Sequence, residues 1–139
     1  MKSVLLHCKN YKSKIGKLAN HPTDISPEPI KEKKQSEKNC IVALITVEKG
    51  DNPKRCSEEL DKEISAFAQD VKVKNIVIIP FAHLSNNPAD SKTEIKFFEY
   101  LQDQLAYNLN VTRGHYGSDK ALLLDIKGHK GNVRFREFQ

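Results

Sequence analysis

The sequence predicts an α/β fold: a mixed β-sheet layer carrying two amphipathic helices. Three observations lead there. The apolar runs CIVALITV (40–47) and NIVII (75–79) are short and rich in β-branched residues, so they read as strands. Leu60, Ile64, Phe67, Ala68 and Val71 fall on a 3.6-residue period, as do Ile95, Phe98, Leu101 and Leu105. After the second helix, only strand-sized apolar segments remain.

In chain order, residues 2–6 (KSVLL) read as a first strand ending at His7. Residues 12–38 hold His21-Pro22, Pro27, Glu28-Pro29 and KEKKQSEK, with few apolar side chains. They read as a long polar connection, functional or mobile rather than a plain connector. Residues 40–47 form a strand buried on both faces, and a helix carrying Leu60 to Val71 follows. Asn75 to Ile79 is the third strand, ended by Pro80. Ser91 with Glu94 makes a capping-box pattern that opens the second helix. Leu109 to Thr112, Ala121 to Ile126 and Val133 to Phe138 complete the chain as strands, giving one domain over residues 1–139.

Composition narrows the setting. No run approaches the ~20 apolar residues of a membrane span, and MKSVLLHCKN is too weakly apolar for a signal peptide. Three cysteines, Cys8, Cys40 and Cys56, leave one unpaired in any disulfide scheme, which points to a reducing compartment and hence the cytoplasm. The net charge of +5 is concentrated in lysines near both ends. That suits a polyanionic partner such as RNA, or simply a solvated lysine-rich surface.

Several chemistries find no support. The five histidines never pair at i+3 or i+4, and no CxxC is present, which argues against zinc. There is no P-loop and no GxGxxG. His7 and Cys8 are strand neighbours and point to opposite faces, so they form no dyad. Two places stand out. His83 follows Pro80 at the carboxyl end of a strand, an edge where α/β sheets bind ligands. It either orients a substrate or shuttles a proton, or only caps a loop. His115 to Lys120 (HYGSDK) gathers a ring, a flexible glycine, a carboxylate and an ammonium, or is a plain Gly-Ser-Asp turn.

Taken together, VLLH (4–7), ALITVEK (43–49), PFAHLS (80–85), YGSDK (116–120) and the closing KGHKGNVRFREF resemble one family over essentially the whole chain. It is the N-terminal editing domain of archaeal-type threonyl-tRNA synthetases, related in fold to D-aminoacyl-tRNA deacylases. The resemblance implies a proofreading hydrolase that removes L-serine misattached to tRNA(Thr). Such a domain answers a physical limit, because a methyl-sized difference gives a binding pocket only ~1–3 kcal/mol of discrimination. His83 and Lys120 would then lie nearest the scissile ester. Val47, Phe81, Ala82, Tyr116 and Gly117 would wall the pocket, with His7 beside it. Water would attack with help from the ribose hydroxyl, without a protein nucleophile, metal or cofactor.

The chain departs from the family pattern at three places. Asp119 stands where an aromatic residue is frequent, Val133 where a glutamate is frequent, and Cys8-Lys9 where Ser-Asp is frequent. Asp119 or Glu137 is thus left to complete the polar half of the site. The resemblance further implies a homodimer, the seryl 3′ end of tRNA(Thr) as partner, a synthetase catalytic part in cis or trans, and no membrane. Two other readings stay open: a D-aminoacyl-tRNA deacylase, and a non-catalytic tRNA-binding module.

Overall fold

Alternation decides the first element. Tyr11, Ser13 and Ile15 are buried while Lys12 and Lys14 are exposed, so the segment is a strand with one wet face. In the computed structural model, which describes residues 1–18 and 28–139, β1 runs from Lys2 to Leu18 and β2 from Lys34 to Thr46. The expected polar connection over residues 12–38 is therefore corrected at both ends. Lys12, Lys14, Lys34 and Lys38 are outward-facing strand residues, and they mask an inward row of only three side chains. His21, Pro22 and Pro27 lie outside the described residues.

The other elements are α1 (Pro53–Val71), β3 (Asn75–Pro80), α2 (Ser91–Leu105), β4 (Asn110–Arg113), β5 (Ser118–Ile126) and β6 (Val133–Glu137). The six strands form one mixed sheet in the order β4-β3-β2-β1-β5, with β6 also paired to β1. β2, β3 and β4 are parallel, while β1 is antiparallel to β2, β5 and β6. The expected α/β class, a mixed sheet with two helices, is what the chain adopts.

Helix boundaries follow capping chemistry. Asn52 accepts a 3.0 Å bond from the Arg55 amide and Pro53 occupies the first turn of α1. α2 is capped by Asp90, whose carboxylate accepts from the Thr93 amide at 2.8 Å. The expected Ser91–Glu94 box is thus displaced by one residue. Aspartate caps as well as serine does, and using it frees Glu94 from the cap. No helix among the described residues is long and apolar enough to cross a membrane.

The helices cover one sheet face, where Leu60, Ile64, Phe67, Phe98 and Leu101 meet Ile41, Ala43, Ile76 and Ile78. The other face carries Cys8, Tyr11, Val42, Val77 and Ile79, and Leu122 and Leu124 of β5 pack there. This second layer closes because the distal β1–β2 hairpin bends over it. The Tyr11 hydroxyl donates to Gln35 Oε1 at 3.0 Å, and Gln35 Nε2 donates to the Arg113 carbonyl at 3.0 Å. That last bond ties the hairpin to the end of β4, two strands away from β2.

Candidate active site

Strand ends build the site. Pro80 closes β3, and the following residues turn over the carboxyl edge of the sheet. The Phe81 amide donates to the Ile45 carbonyl at 2.9 Å, Thr46 Oγ1 bonds the Phe81 carbonyl, and the Leu84 amide donates to Thr46 Oγ1 at 3.3 Å. Ser85 Oγ donates to Glu48 Oε2 at 2.6 Å, and Glu48 Oε1 lies 2.9 Å from the Met1 ammonium. Those two contacts hold the Glu48 carboxyl below its usual range, the serine bond contributing most. The loop is therefore fixed by backbone and side-chain bonds along its length.

A second wall comes from residues 113–120. Glu28, from the hairpin connection, pairs with Arg113 and accepts from the Tyr116 amide at 2.8 Å, while its carbonyl lies 2.7 Å from His115 Nε2. Gly117 turns the chain at φ +86°, a left-handed conformation that side chains rarely adopt. β5 begins at Ser118, three residues earlier than its apolar run suggests. Its pairing with the extended part of β1, Lys120 opposite Ile15 and Leu122 opposite Ser13, overrides the turn preference of Gly-Ser-Asp.

Between these walls and the start of α2 lies a cavity of about 570 Å³, within the usual range for small-molecule sites. It brings together Phe81, Ala82, His83, Tyr116, Gly117, Asp119 and Lys120, all expected site residues. His83 sits exposed at the mouth with its ring edge-on to Phe81, centroids 5.0 Å apart. Lys120 is partly buried, and its Nζ donates to the Ser118 carbonyl at 3.2 Å. Burial pulls its pKa below the lysine norm, against the opposing pull of Glu28 and Asp119.

Two expected members stand elsewhere. Val47 is buried behind the wall, where its carbonyl accepts from the Ala89 amide at 2.9 Å. His7 pairs with Ile41, level with the start of β3, and so lies at the opposite end of the sheet. Its Nδ1 is 2.7 Å from His129 Nε2, and burial lowers its pKa. Of the two candidates for the missing acid, Asp119 lines the cavity. Glu137 pairs with Lys2, itself opposite Thr46, and does not line the cavity.

One site residue was not legible as such. Glu94 faces the cavity from α2, with its carboxyl hydrogen-bonded to Tyr116. Burial raises its pKa, the Tyr116 bond pulls it down and Asp90 pushes it further up. The Tyr116 hydroxyl also lies 3.3 Å from Ser91 Oγ. The sequence signal available was an acid one turn into a helix that already possessed a capping aspartate. The cavity thus holds a cation and a carboxyl whose burial disfavours charge on both, a pattern that concentrates at functional sites. The cysteines lie away from this chemistry. Cys8 and Cys40 face each other across β1 and β2, fully buried, and burial pushes their thiols up to about 11 and about 12. Thiolates, the reactive form, are suppressed there.

Comparison with known proteins agrees with this architecture. Residues 1–137 match the family described as the archaea-specific editing domain of threonyl-tRNA synthetase. A threonine–tRNA ligase editing subunit of Saccharolobus solfataricus is 38% identical over 103 residues, 74% of this chain and 26% of that protein. A threonine–tRNA ligase of Thermococcus onnurineus is 34% identical over 136 residues, 93% of this chain and 21% of that protein. The chain thus spans about a quarter or less of these relatives' length. Among solved structures, the c-Myc DNA unwinding element binding protein superposes with a TM-score of 0.66 at 13% identity, covering 100% of this chain and 99% of that one. At that identity the likeness is one of fold.

Proposed function

The chain belongs to the archaea-specific editing domain family of threonyl-tRNA synthetase, and from that premise we propose that it hydrolyses L-serine from mischarged tRNA(Thr). The observation that carries the reading is the meeting of His83, Tyr116, Glu94 and Lys120 around one cavity at the sheet's carboxyl edge. Tyr116 and Lys120 are fixed by a strand and by the Glu28 contacts rather than by a free loop. The terminal aminoacyl-adenosine of a tRNA is the substrate piece such a cavity suits. Exclusion of threonine is then a property of the wall around the amino-acid side chain, made by Phe81 and Ala82, and not of total volume.

In the proposed reaction, a water oxygen bonds to the ester carbonyl carbon and the carbonyl electron pair moves onto oxygen. The Lys120 ammonium stabilises that oxyanion, as a fixed donor does. The pair returns as the bond to the ribose oxygen breaks, and the water's proton reaches that oxygen through the neighbouring ribose hydroxyl. Free serine and intact tRNA leave. His83 holds water or ribose at the mouth. Glu94 fixes the Tyr116 hydroxyl and offers the attacking water an acceptor. The substrate is presented by a synthetase catalytic part in cis or trans, and the domain works as a homodimer in a reducing cytoplasm.

Deacylation of L-seryl-, D-seryl- and L-threonyl-tRNA(Thr) tests the reading. Release of L-serine with sparing of threonine is expected. Equal release of serine and threonine sinks the size test, and preference for D-serine moves the chain to the D-aminoacyl deacylase reading. Tight tRNA binding without turnover leaves only a binding module.

The Glu94 assignment has a pH signature. An ionised Glu94 is needed, and its carboxyl is raised above the ordinary carboxylate value. Activity is therefore expected to climb with pH through a midpoint above the usual ~4.3. Glu94→Gln should remove that rise and lower the plateau about 10²-fold. Superimposable pH profiles for the two proteins would refute the role.

A further inference from the structure

We propose that the outer face of the β2–β1–β5 ribbon binds the phosphate backbone of the RNA strand whose 3′ end enters the cavity. The proposal rests on the editing reading for the identity of that strand. Strand register supplies the first argument. Lys12 lies between Ser36 and Leu123, Lys14 between Lys34 and Ala121, and Asn10 between Lys38 and Asp125. Directly paired residues share a face, so Lys12, Lys14, Lys34 and Lys38 are gathered on one side, and all four are exposed.

Lys14 stands directly opposite Lys34. Like charges at paired positions repel, and among the described residues none of Lys12, Lys14, Lys34 and Lys38 forms a salt bridge. Asp125 at its rim is already engaged by Asn10 Nδ2 at 3.0 Å. The helical layer has the opposite balance. α1 and α2 each carry more acids than bases, which leaves the ribbon as the basic side of the molecule.

Shape supplies the second argument. A groove of about 550 Å³ runs along this face, lined by Lys12, Lys14, Lys34, Ser36, Ala121 and Leu123 among others. Leu122 lines both this groove and the catalytic cavity, so the two meet across β5. Leu123 is 50% exposed, an apolar seat among ammonium groups on which a base or ribose can rest. A groove of cations with an aliphatic floor, opening beside a site for a terminal nucleoside, fits a nucleic-acid backbone better than a flat acidic protein surface.

The test uses an acceptor-stem RNA minihelix ending in CCA, and seryl-adenosine ester as a substrate without RNA backbone. The variant is Lys12→Ala/Lys14→Ala/Lys34→Ala, and the charge control is Lys54→Ala/Lys62→Ala on α1. Each backbone contact contributes roughly 0.7–0.9 to the slope of log affinity against log salt. The triple variant should therefore bind the minihelix at least about tenfold more weakly at low salt, with a slope shallower by about 2. The control should match the parent, and the defect should be confined to substrates that carry RNA. An unchanged slope in the triple variant overturns the proposal. So does equal weakening of poly-glutamate binding, which marks a generic anion patch, or an equal loss with the adenosine ester. If the minihelix results hold while the parent never cleaves the ester, the surface stands and the editing reading fails.

Discussion

Replacing Lys120 by alanine is expected to cut hydrolysis of seryl-tRNA(Thr) on the order of 10²–10³-fold, the usual cost of losing one oxyanion donor. Among the described residues, Lys120 is the only Lys or Arg that lines the cavity, so no neighbour can take over its charge. Its ammonium is held there against its own solvation, since burial lowers its pKa. Removing it relieves that cost, and the variant should melt at or slightly above the parent temperature. Lys120→Met should behave like alanine, because it keeps the bulk and drops the charge. The loss should fall mainly on kcat, the interaction being strongest in the transition state. A variant that retains full rate removes Lys120 from the mechanism. One that loses rate only by unfolding does the same.

Phe67→Ala carries the largest expected cost in stability, about 3–5 kcal/mol. The ring is fully buried on α1, meets His7 edge-on at 6.4 Å, and carries the Arg134 guanidinium 3.9 Å above its centroid. Arg134 is fixed in turn by Asp70 at 3.1 Å. Truncation therefore opens a void and also removes the ring beneath the Arg134 guanidinium, a contact that joins β6 to α1. For a chain of this size the melting point should fall by about 10–15 °C. Because His7 and Phe67 lie at the far end of the sheet from Lys120, the protein that remains folded at low temperature should keep its turnover. A loss below about 1 kcal/mol would mean that the site collapses around the missing ring.

What could be read from the residues depended on whether the signal was local. The strands at 40–47 and 75–79 were legible because all their residues but Thr46 and Asn75 are apolar. The two helices were legible because their stripes span several turns. Phe81 to His83 could be placed at the sheet's edge because Pro80 marks where β3 ends. The second half of β1 was hidden by its outward lysines, and this concealed the start of β5, which pairs with that half. Asp90 and Ser91 are neighbouring residues with equal capping chemistry, so only the folded chain decides between them, and with them the direction Glu94 takes. His7 illustrates register. Its residue type suits a site, but the pairing with Ile41 sets it at the other end.

The pairing of one edge of β1 with the distant strands β6 and β5 has a consequence for biosynthesis. Lys2 to Leu6 pair with residues 133–137, and Cys8 to Leu18 pair with residues 118–126. As the polypeptide leaves the ribosome at ~5–20 residues per second, its first strand waits on the order of ten seconds for those neighbours. During that interval the seams that β5 and β6 will occupy stand open, beside Leu6 and Tyr11. The nascent chain is therefore a natural client for chaperones, and the sheet is complete only once residues 118–137 have emerged.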